Sequence, residues 1–493
     1  MALGGLDLGT SGCKCTVMSA DGSQLSCVYR EYAAMRSDSA HELSCEVVLS
    51  AAKDVIRQAA AEAGEELQAL CVTSFGESCA LLDEEDRPLF PFMLYTDPRG
   101  GEETEELKAL MDERQIFELC GHRPNPMYFL PKLLWIRKHH PEKYEKIKRV
   151  LPVGAYIVYM LCGRGITDYS LAARTMLLDV HKLCWCKELL EKTGLSDHYL
   201  PELGDAGTVA GEVLPRVAEE LGLPKDMKLV VGCQDQIAAV IGSGTLKPNT
   251  ATLGSGTVEC LTPIFDRIPD HPALYDGGYS IVPAVGGLYV TYAFIFTGGA
   301  LLQWYRDTFG ESYVARGKEE GKSPYALMDR EVGEDPTGLL VLPHFAGSAT
   351  LNMDPDSKGC IYGAALSTKR SDLYRALMEG ICYEMRMNMD ALAEAGISFE
   401  VLRAAGGGAR SAVWNQIRAD ILNKKLETID TAEVGSMATC MLGGVACGVF
   451  ANLEEAARLV QVKATIRPSQ KSEAYQPHMA RYRKLYTALK AVR

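Results

Sequence analysis

Asp235 stands in the run Leu229-Val230-Val231-Gly232-Cys233-Gln234-Asp235-Gln236-Ile237-Ala238-Ala239. An apolar stretch meets a glycine, and polar residues then open a segment of small residues. That is a strand–turn–helix junction, the place where open α/β sheets bind ligands. A helix N-cap is the ordinary alternative for such an aspartate. Further on comes Thr252-Leu253-Gly254-Ser255-Gly256-Thr257, a glycine loop between two strand-like runs, and a similar loop, Leu6-Asp7-Leu8-Gly9-Thr10-Ser11-Gly12, opens the chain. One carboxylate beside two phosphate-type loops suggests phosphoryl transfer to a hydroxyl. Such a reaction needs phosphate charge neutralised, a hydroxyl aligned and an acceptor for its proton.

These residues need an α/β frame to hold them. The first thirty residues alternate as a β-meander with turns at 9–12 and 20–23. Helical spacing covers 47–62, 102–119 and 210–221, and 131–139 is a helix with a proline near its start. Strands are predicted at 67–72, 288–296, 339–342 and 401–404, and helices at 299–306, 373–392 and 411–422. The 229–244 segment supplies strand, turn and helix together. The stretch 435–450 is rich in small residues, with glycines spaced for close helix packing. Lys247-Pro248-Asn249 is the best domain boundary. Beyond it a glycine hairpin returns, Leu253-Gly254-Ser255-Gly256 against Leu8-Gly9-Thr10-Ser11, which points to two related α/β domains.

A chain of 493 residues exceeds one ordinary core, so two domains are expected. With 47% apolar and 23% charged residues it has a soluble globular composition. A net charge of -13 argues against nucleic acid or an anionic membrane as partner. The 16 cysteines form no Cys-x-x-Cys pair, and the 9 histidines show no zinc spacing, so free thiols in a reducing cytoplasm are expected. No basic leader precedes Asp7, so no signal peptide is expected. The uncharged stretch 277–305 is broken by Gly277-Gly278, Pro283, Gly286-Gly287 and Gly298-Gly299. It reads as a buried strand and helix rather than a membrane span.

Five segments stand in a telling order. They are Asp7-Leu8-Gly9-Thr10-Ser11-Gly12; Pro131-Lys132-Leu133-Leu134-Trp135; Asp235; Lys358-Gly359-Cys360-Ile361-Tyr362-Gly363 through Met378-Glu379-Gly380; and Gly406-Gly407-Gly408-Ala409-Arg410-Ser411. Together they resemble the FGGY carbohydrate kinases, nearest the xylulokinase members, over nearly the whole chain. Phe129 departs from the first signature, where proline or a small polar residue is usual. The resemblance implies an α/β fold of the actin/sugar-kinase/Hsp70 type. It would have two RNase H-like domains around a central cleft, residues 1–246 and 247–493.

The same resemblance implies the site. Asp235 falls on the family's catalytic aspartate, with Gln236 beside it on the acceptor side. Asp7 would lie near Mg²⁺ through water, its alternative being a turn residue. Gly9, Thr10 and Ser11, and Gly254, Ser255, Gly256 and Thr257, would give N–H and hydroxyl donors to ATP phosphates. A lone glycine loop is more often a hairpin turn. Lys14 is either a phosphate ligand or a solvated strand-end lysine. Gly406, Gly407 and Gly408 would admit the nucleotide close to the backbone. They do not make a dinucleotide fingerprint.

The acceptor segment departs from the pattern. Thr73-Ser74-Phe75-Gly76-Glu77-Ser78 puts Glu77 where xylulokinases carry histidine. A glutamate here resembles glycerol kinases, which hold hydroxyls with it, but their adjacent arginine is replaced by Gly76. Trp-Asn-Asp-x-Arg becomes Tyr95-Thr96-Asp97-Pro98-Arg99, in which Asp97 and Arg99 would line the sugar cleft or form a salt-bridged turn. A buried carboxylate at Glu77 suits a polyol or open-chain ketose better than an aldonate. The reading is an ATP- and Mg²⁺-dependent cytoplasmic kinase of a small sugar, a ketopentose first. The alternatives are a glycerol- or erythritol-type polyol kinase or a gluconate kinase. An actin/Hsp70-like ATPase with a protein partner is the alternative of another class. No nucleic acid or membrane partner is expected, and homodimerisation stays open.

Overall fold

The computed structural model describes residues 1–430 and 433–492. The chain forms two compact units. The first comprises Met1–Leu246, Ser280–Val290 and Glu433–Val460, and the second Lys247–Tyr279, Thr291–Ala432 and Gln461–Arg493.

The first unit is built on a six-stranded sheet. Its strand order is Val209–Glu212, Lys228–Gln234, Leu67–Ser74, Ala2–Leu8, Gly12–Ser19 and Gln24–Glu31. The three N-terminal strands run antiparallel in sequence order, while Leu67–Ser74 pairs parallel with both Ala2–Leu8 and Lys228–Gln234. Side chains alternate along the first strand. Ala2, Leu6 and Leu8 join a core with Val48, Ala52, Val55 and Ile56 of the helix Cys45–Ala63. The odd residues face the helix Val434–Ala446: Leu3 lies near Gly443, Gly5 against Thr439 and Asp7 near Gly435.

Glycine makes that second contact possible. A Cβ at Gly5 would fall 1.8 Å from Thr439 Oγ1, and one at Gly242 would fall 1.8 Å from the Val434 carbonyl oxygen. Gly242 ends the helix Asp235–Gly242, so close backbone approach locks that helix to Val434–Ala446. Gly242→Ala must push the two helices apart. Overpacking of this kind costs about 1–3 kcal/mol, which a urea titration would show as a lower midpoint with an unchanged slope.

In the second unit the sheet runs Glu259–Phe265, Asn249–Ser255, Phe399–Ala405, Lys425–Ile429 and Val462–Ile466, with Ala293–Ile295 pairing along Glu259–Phe265. Asn249–Ser255 and Phe399–Ala405 are parallel neighbours, so the glycine loops that follow them emerge side by side. The long helix Arg370–Glu394 and the helix Ala412–Leu422 pack together.

Four sequence expectations need correction. Residues 102–119 form two helices, Gly101–Leu110 and Glu113–Cys120, because Asp112 caps the second by accepting from Arg114 N and Gln115 N. Residues 210–221 divide into the strand Val209–Glu212 and the helix Pro215–Leu221, with proline in the first turn. Residues 288–296 hold two short strands, Tyr289–Val290 and Ala293–Ile295. The helix predicted at 131–139 begins two residues earlier, as Phe129–His139. Among the described residues no helix is long and apolar enough to cross a membrane.

Candidate active site

The position of Asp235 follows from a break in the sheet. Lys228–Gln234 runs in register with Leu67–Ser74 as far as Val231, then shifts before Gln234. Gly232 lies where a Cβ would be 2.1 Å from Val72 O, and Thr73 Oγ1 donates to the Cys233 carbonyl at 2.5 Å. A bulge of this kind re-aims the residues after it. Gln234 takes the N-cap position, its N–H donating to Ser170 Oγ at 2.9 Å. Asp235 is therefore the first helical residue and is not used as a side-chain cap. Burial, Glu77 and Asp7 push its carboxyl up to about 7, against the Gln236 N–H and Arg174. The ionised form is costly there because other carboxylates share the site.

Asp7 stands one residue before the end of the first strand, on the face that meets the Val434–Ala446 helix. Burial raises its pKa; Lys14 opposes this and Glu433 adds to it. Burial also works against the Lys14 charge, but bonding to Glu433 and the field of Asp7 outweigh it. The loop at Gly9, Thr10 and Ser11 is tight. Gly9 N donates to Gly12 O at 2.9 Å, while Tyr32 donates its hydroxyl to Gly9 O and its N–H to Ser11 O. A buried carboxylate with Lys14 and Glu433 as its charged neighbours would offer the oxygen ligand that a hydrated Mg²⁺ takes, such ions usually retaining waters.

Glu77 is buried and has a φ of 66°, unusual for a residue with a side chain. Backbone strain of this kind collects at functional sites. Its partner is Arg174, which no sequence pattern singled out. Arg174 Nε donates to Glu77 Oε1 at 2.5 Å, and a second guanidinium nitrogen reaches the same oxygen. The guanidinium also lies 4.9 Å from the centre of the Tyr128 ring. Gly76 makes room for it, since a Cβ there would be 2.9 Å from Arg174 Cγ and 3.2 Å from its Cβ. The one available signal was an arginine in the otherwise apolar run after Ser170, because a buried arginine needs an anion.

Buried Asp97 and half-buried Arg99 form an ion pair. Asp97 accepts from Arg99 N at 3.0 Å, Arg99 Nε at 2.8 Å and His41 N at 2.8 Å, while Arg99 also meets Glu42 at 2.6 Å. Burial alone would raise the Asp97 pKa, but these donors hold it below the ordinary range. Lys132 is fully buried, donating to the carbonyls of Leu94 (2.6 Å) and Met127 (2.9 Å). Burial lowers it to about 8, with Asp97 and Glu77 acting in the opposite direction. His122, beside Tyr128, is buried and held well below 6.5 by burial and by the Arg174 charge.

The second unit brings two glycine loops to one cavity of about 480 Å³, lined in part by Gly256, Thr257, Gly407, Gly408, Asp329 and Trp414. Gly254 lies in the strand that leads into it. Gly406 has a φ of 88°, and a Cβ there would be 2.6 Å from Ser255 O, so the loops touch through backbone. Ser255 turns its hydroxyl inward to Glu259 and Arg418. Arg418 binds Glu259 at 2.9 Å, donates to Gly408 O at 3.3 Å and lies 3.7 Å over the Trp414 ring. This buried pair ties one loop to the other, and sequence reading missed it. Among the described residues, the group Glu102, Glu103 and His139 has metal-ligand spacing, but Lys138 Nζ already sits 3.3 and 3.7 Å from its two carboxylates.

Comparison with known proteins agrees with this frame. The FGGY family of carbohydrate kinases matches in both halves, its N-terminal domain over residues 2–242 and its C-terminal domain over residues 273–451. The chain is similar to the xylulose kinase of Lactococcus lactis, 27% identical over 99% of this chain and 95% of that one. It is also similar to the gluconokinase of Bacillus licheniformis, 27% identical over 90% of this chain and 87% of the other. The ligand-bound xylulose kinase of Lactobacillus acidophilus shares the fold, with a TM-score of 0.89 at 22% identity over 99% and 98% of the two chains. The chain thus has the two-domain α/β fold of the FGGY carbohydrate kinases, and it belongs to that family of enzymes.

Proposed function

We propose that this kinase transfers the γ-phosphoryl group of ATP to a hydroxyl of a small neutral sugar, a ketopentose of the xylulose type first. The observation that carries the reading is Asp235, a carboxylate at the mouth of a helix with Glu77 and Asp7 as its charged neighbours. The acceptor hydroxyl would give its proton to the Asp235 carboxylate as its oxygen bonds to phosphorus and ADP leaves. Mg²⁺, held through Asp7, would supply positive charge to the phosphates. Each unit carries its own phosphate-type loop, Gly9–Ser11 in the first and Gly254–Thr257 in the second; in the first, the Thr10 and Ser11 N–H groups would be the donors, since Gly9 N is held by Gly12 O. Gly406–Gly408 and the cavity beside it suit the adenosine. Glu77, Gly76, Gln236, Asp97 and Arg99 belong to the acceptor side.

The test is a coupled ADP-release assay with MgATP and a panel of ketoses, alditols, glycerol and aldonates. A strong response to one neutral acceptor supports the reading, and no response to any acceptor defeats it. The pH profile adds a second check. Because Asp235 must be ionised to act, kcat/KM should rise with pH through an acid limb near 7, the value to which burial, Glu77 and Asp7 push the group. Glu77→Gln removes one raising charge, so the limb should move to lower pH. An unmoved limb would mean that another group controls it.

A further inference from the structure

We propose that Arg174, admitted by Gly76 and paired with Glu77, sets the charge class of the acceptor, so that the pair accepts a neutral polyol or ketose and turns away an aldonate. This rests on the kinase reading above and adds a specificity-determining residue to it.

The geometry comes from three segments of the first unit. Glu77 follows the strand Leu67–Ser74, Arg174 follows the helix Tyr169–Ala173, and Asp235 follows the strand Lys228–Gln234. Gly76 is where they converge, since a Cβ there would meet Arg174 on one side and Gln234 Cγ at 3.6 Å on the other. The Arg174 stem thus fills the volume that a side chain at position 76 would occupy. Its contacts at 2.9 and 3.2 Å involve atoms near the backbone, which cannot swing away as a side-chain tip can. Gly76 and Arg174 are therefore a matched pair, and the guanidinium that position 76 lacks arrives from a segment 98 positions later in the chain.

The chemistry follows from the charge balance. A guanidinium alone beside an acceptor would favour a carboxylate, which it can grip with two parallel hydrogen bonds. Here that capacity is directed at Glu77. The pair is neutral overall yet keeps polar edges, which suits hydroxyl groups. An aldonate carboxylate would meet Glu77 and Asp235 as like charges, while two of the three Arg174 nitrogens are committed to Glu77. The Tyr128 ring against the guanidinium limits its movement toward a second anion. The charged groups that act on this pair are Asp235, on both members, and Lys132, on Glu77, and they are common to every acceptor.

The decisive experiment measures kcat and KM for the best neutral acceptor among D-xylulose, glycerol and erythritol, and for D-gluconate, with the KM for ATP as internal control. The wild type should prefer the neutral acceptor. Glu77→Gln releases the guanidinium and should raise the gluconate-to-neutral ratio of kcat/KM by ~30-fold, the scale of one charge-assisted hydrogen bond. Arg174→Met should raise the KM for the neutral acceptor ~10-fold or more while the KM for ATP stays within about twofold. Gly76→Ala serves if that variant does not fold, because one methyl suffices to displace Arg174 and should raise the same KM selectively. Transfer by the wild type with an unchanged acceptor ratio in Glu77→Gln overturns the proposal and leaves the kinase reading intact. So does a wild type that prefers gluconate. A wild type that phosphorylates none of these acceptors or any other sugar overturns both.

Discussion

Asp235→Asn should lose phosphoryl transfer while melting at a higher temperature than the parent above pH 7. General-base assistance is worth ~10²–10⁴ in rate, so kcat should fall by about that factor. The KM for ATP should change little, because the nucleotide contacts assigned here lie elsewhere. The stability gain has a defined sign. In the unfolded chain this carboxyl titrates near 3.8, and in the folded protein near 7. Between those values the folded state holds a proton that the unfolded state has lost, so stability falls as pH rises through the window and is level beyond it. Each unit is worth ~1.36 kcal/mol, and the side chain retains some solvent access, so a gain of about 1–3 kcal/mol is expected from the asparagine. Melting curves of both proteins at pH 5 and pH 8 would test it. Equal differences at the two pH values would mean that Asp235 is not the group that carries the strain.

Arg418→Met should strongly destabilise the second unit. It strips Glu259 of its counter-ion in a site where both side chains are almost fully buried. Removing one partner of a buried pair costs about 3–5 kcal/mol. The same change frees Ser255 and Gly408, so the two glycine loops lose their common anchor. The double variant Arg418→Met/Glu259→Leu separates these effects, since an apolar replacement of the whole pair is often neutral for stability. Stability should recover in the double variant while the KM for ATP stays at least ~10-fold raised, the scale of a charged hydrogen bond. Recovery of both would reduce Arg418 to a packing role.

The glycine loops and the strand-to-helix junction at Asp235 were readable from sequence, because turn and strand patterns are local. Asp235, Asp7 and the glycine runs each announce themselves within a dozen residues. The second-unit loops do meet at one cavity, and the bulge at Gly232 gives the Asp235 junction its cause. The polar partners were not readable. Arg174 meets Glu77 across 97 positions and Arg418 meets Glu259 across 159, and no periodicity links such pairs. Gly76 lacks the arginine of the glycerol kinase pattern, and the volume beside it is occupied by Arg174. The split of residues 102–119 was missed for a different reason. Its apolar spacing continues through the break, and only Asp112 as a cap betrays it.

Glu433–Val460 belongs to the first compact unit although it is made more than four hundred residues after the opening strand. The helix Val434–Ala446 covers the odd-numbered face of the opening strand, where Leu3, Gly5 and Asp7 lie. During synthesis that face stays bare until more than four hundred residues have emerged. The nascent chain therefore carries an uncapped sheet surface for most of its translation, a natural client for a chaperone that shields apolar strands. An expression fragment ending at residue 246 would inherit the same exposed face permanently and should aggregate. Supplying the 433–460 peptide in trans should rescue it.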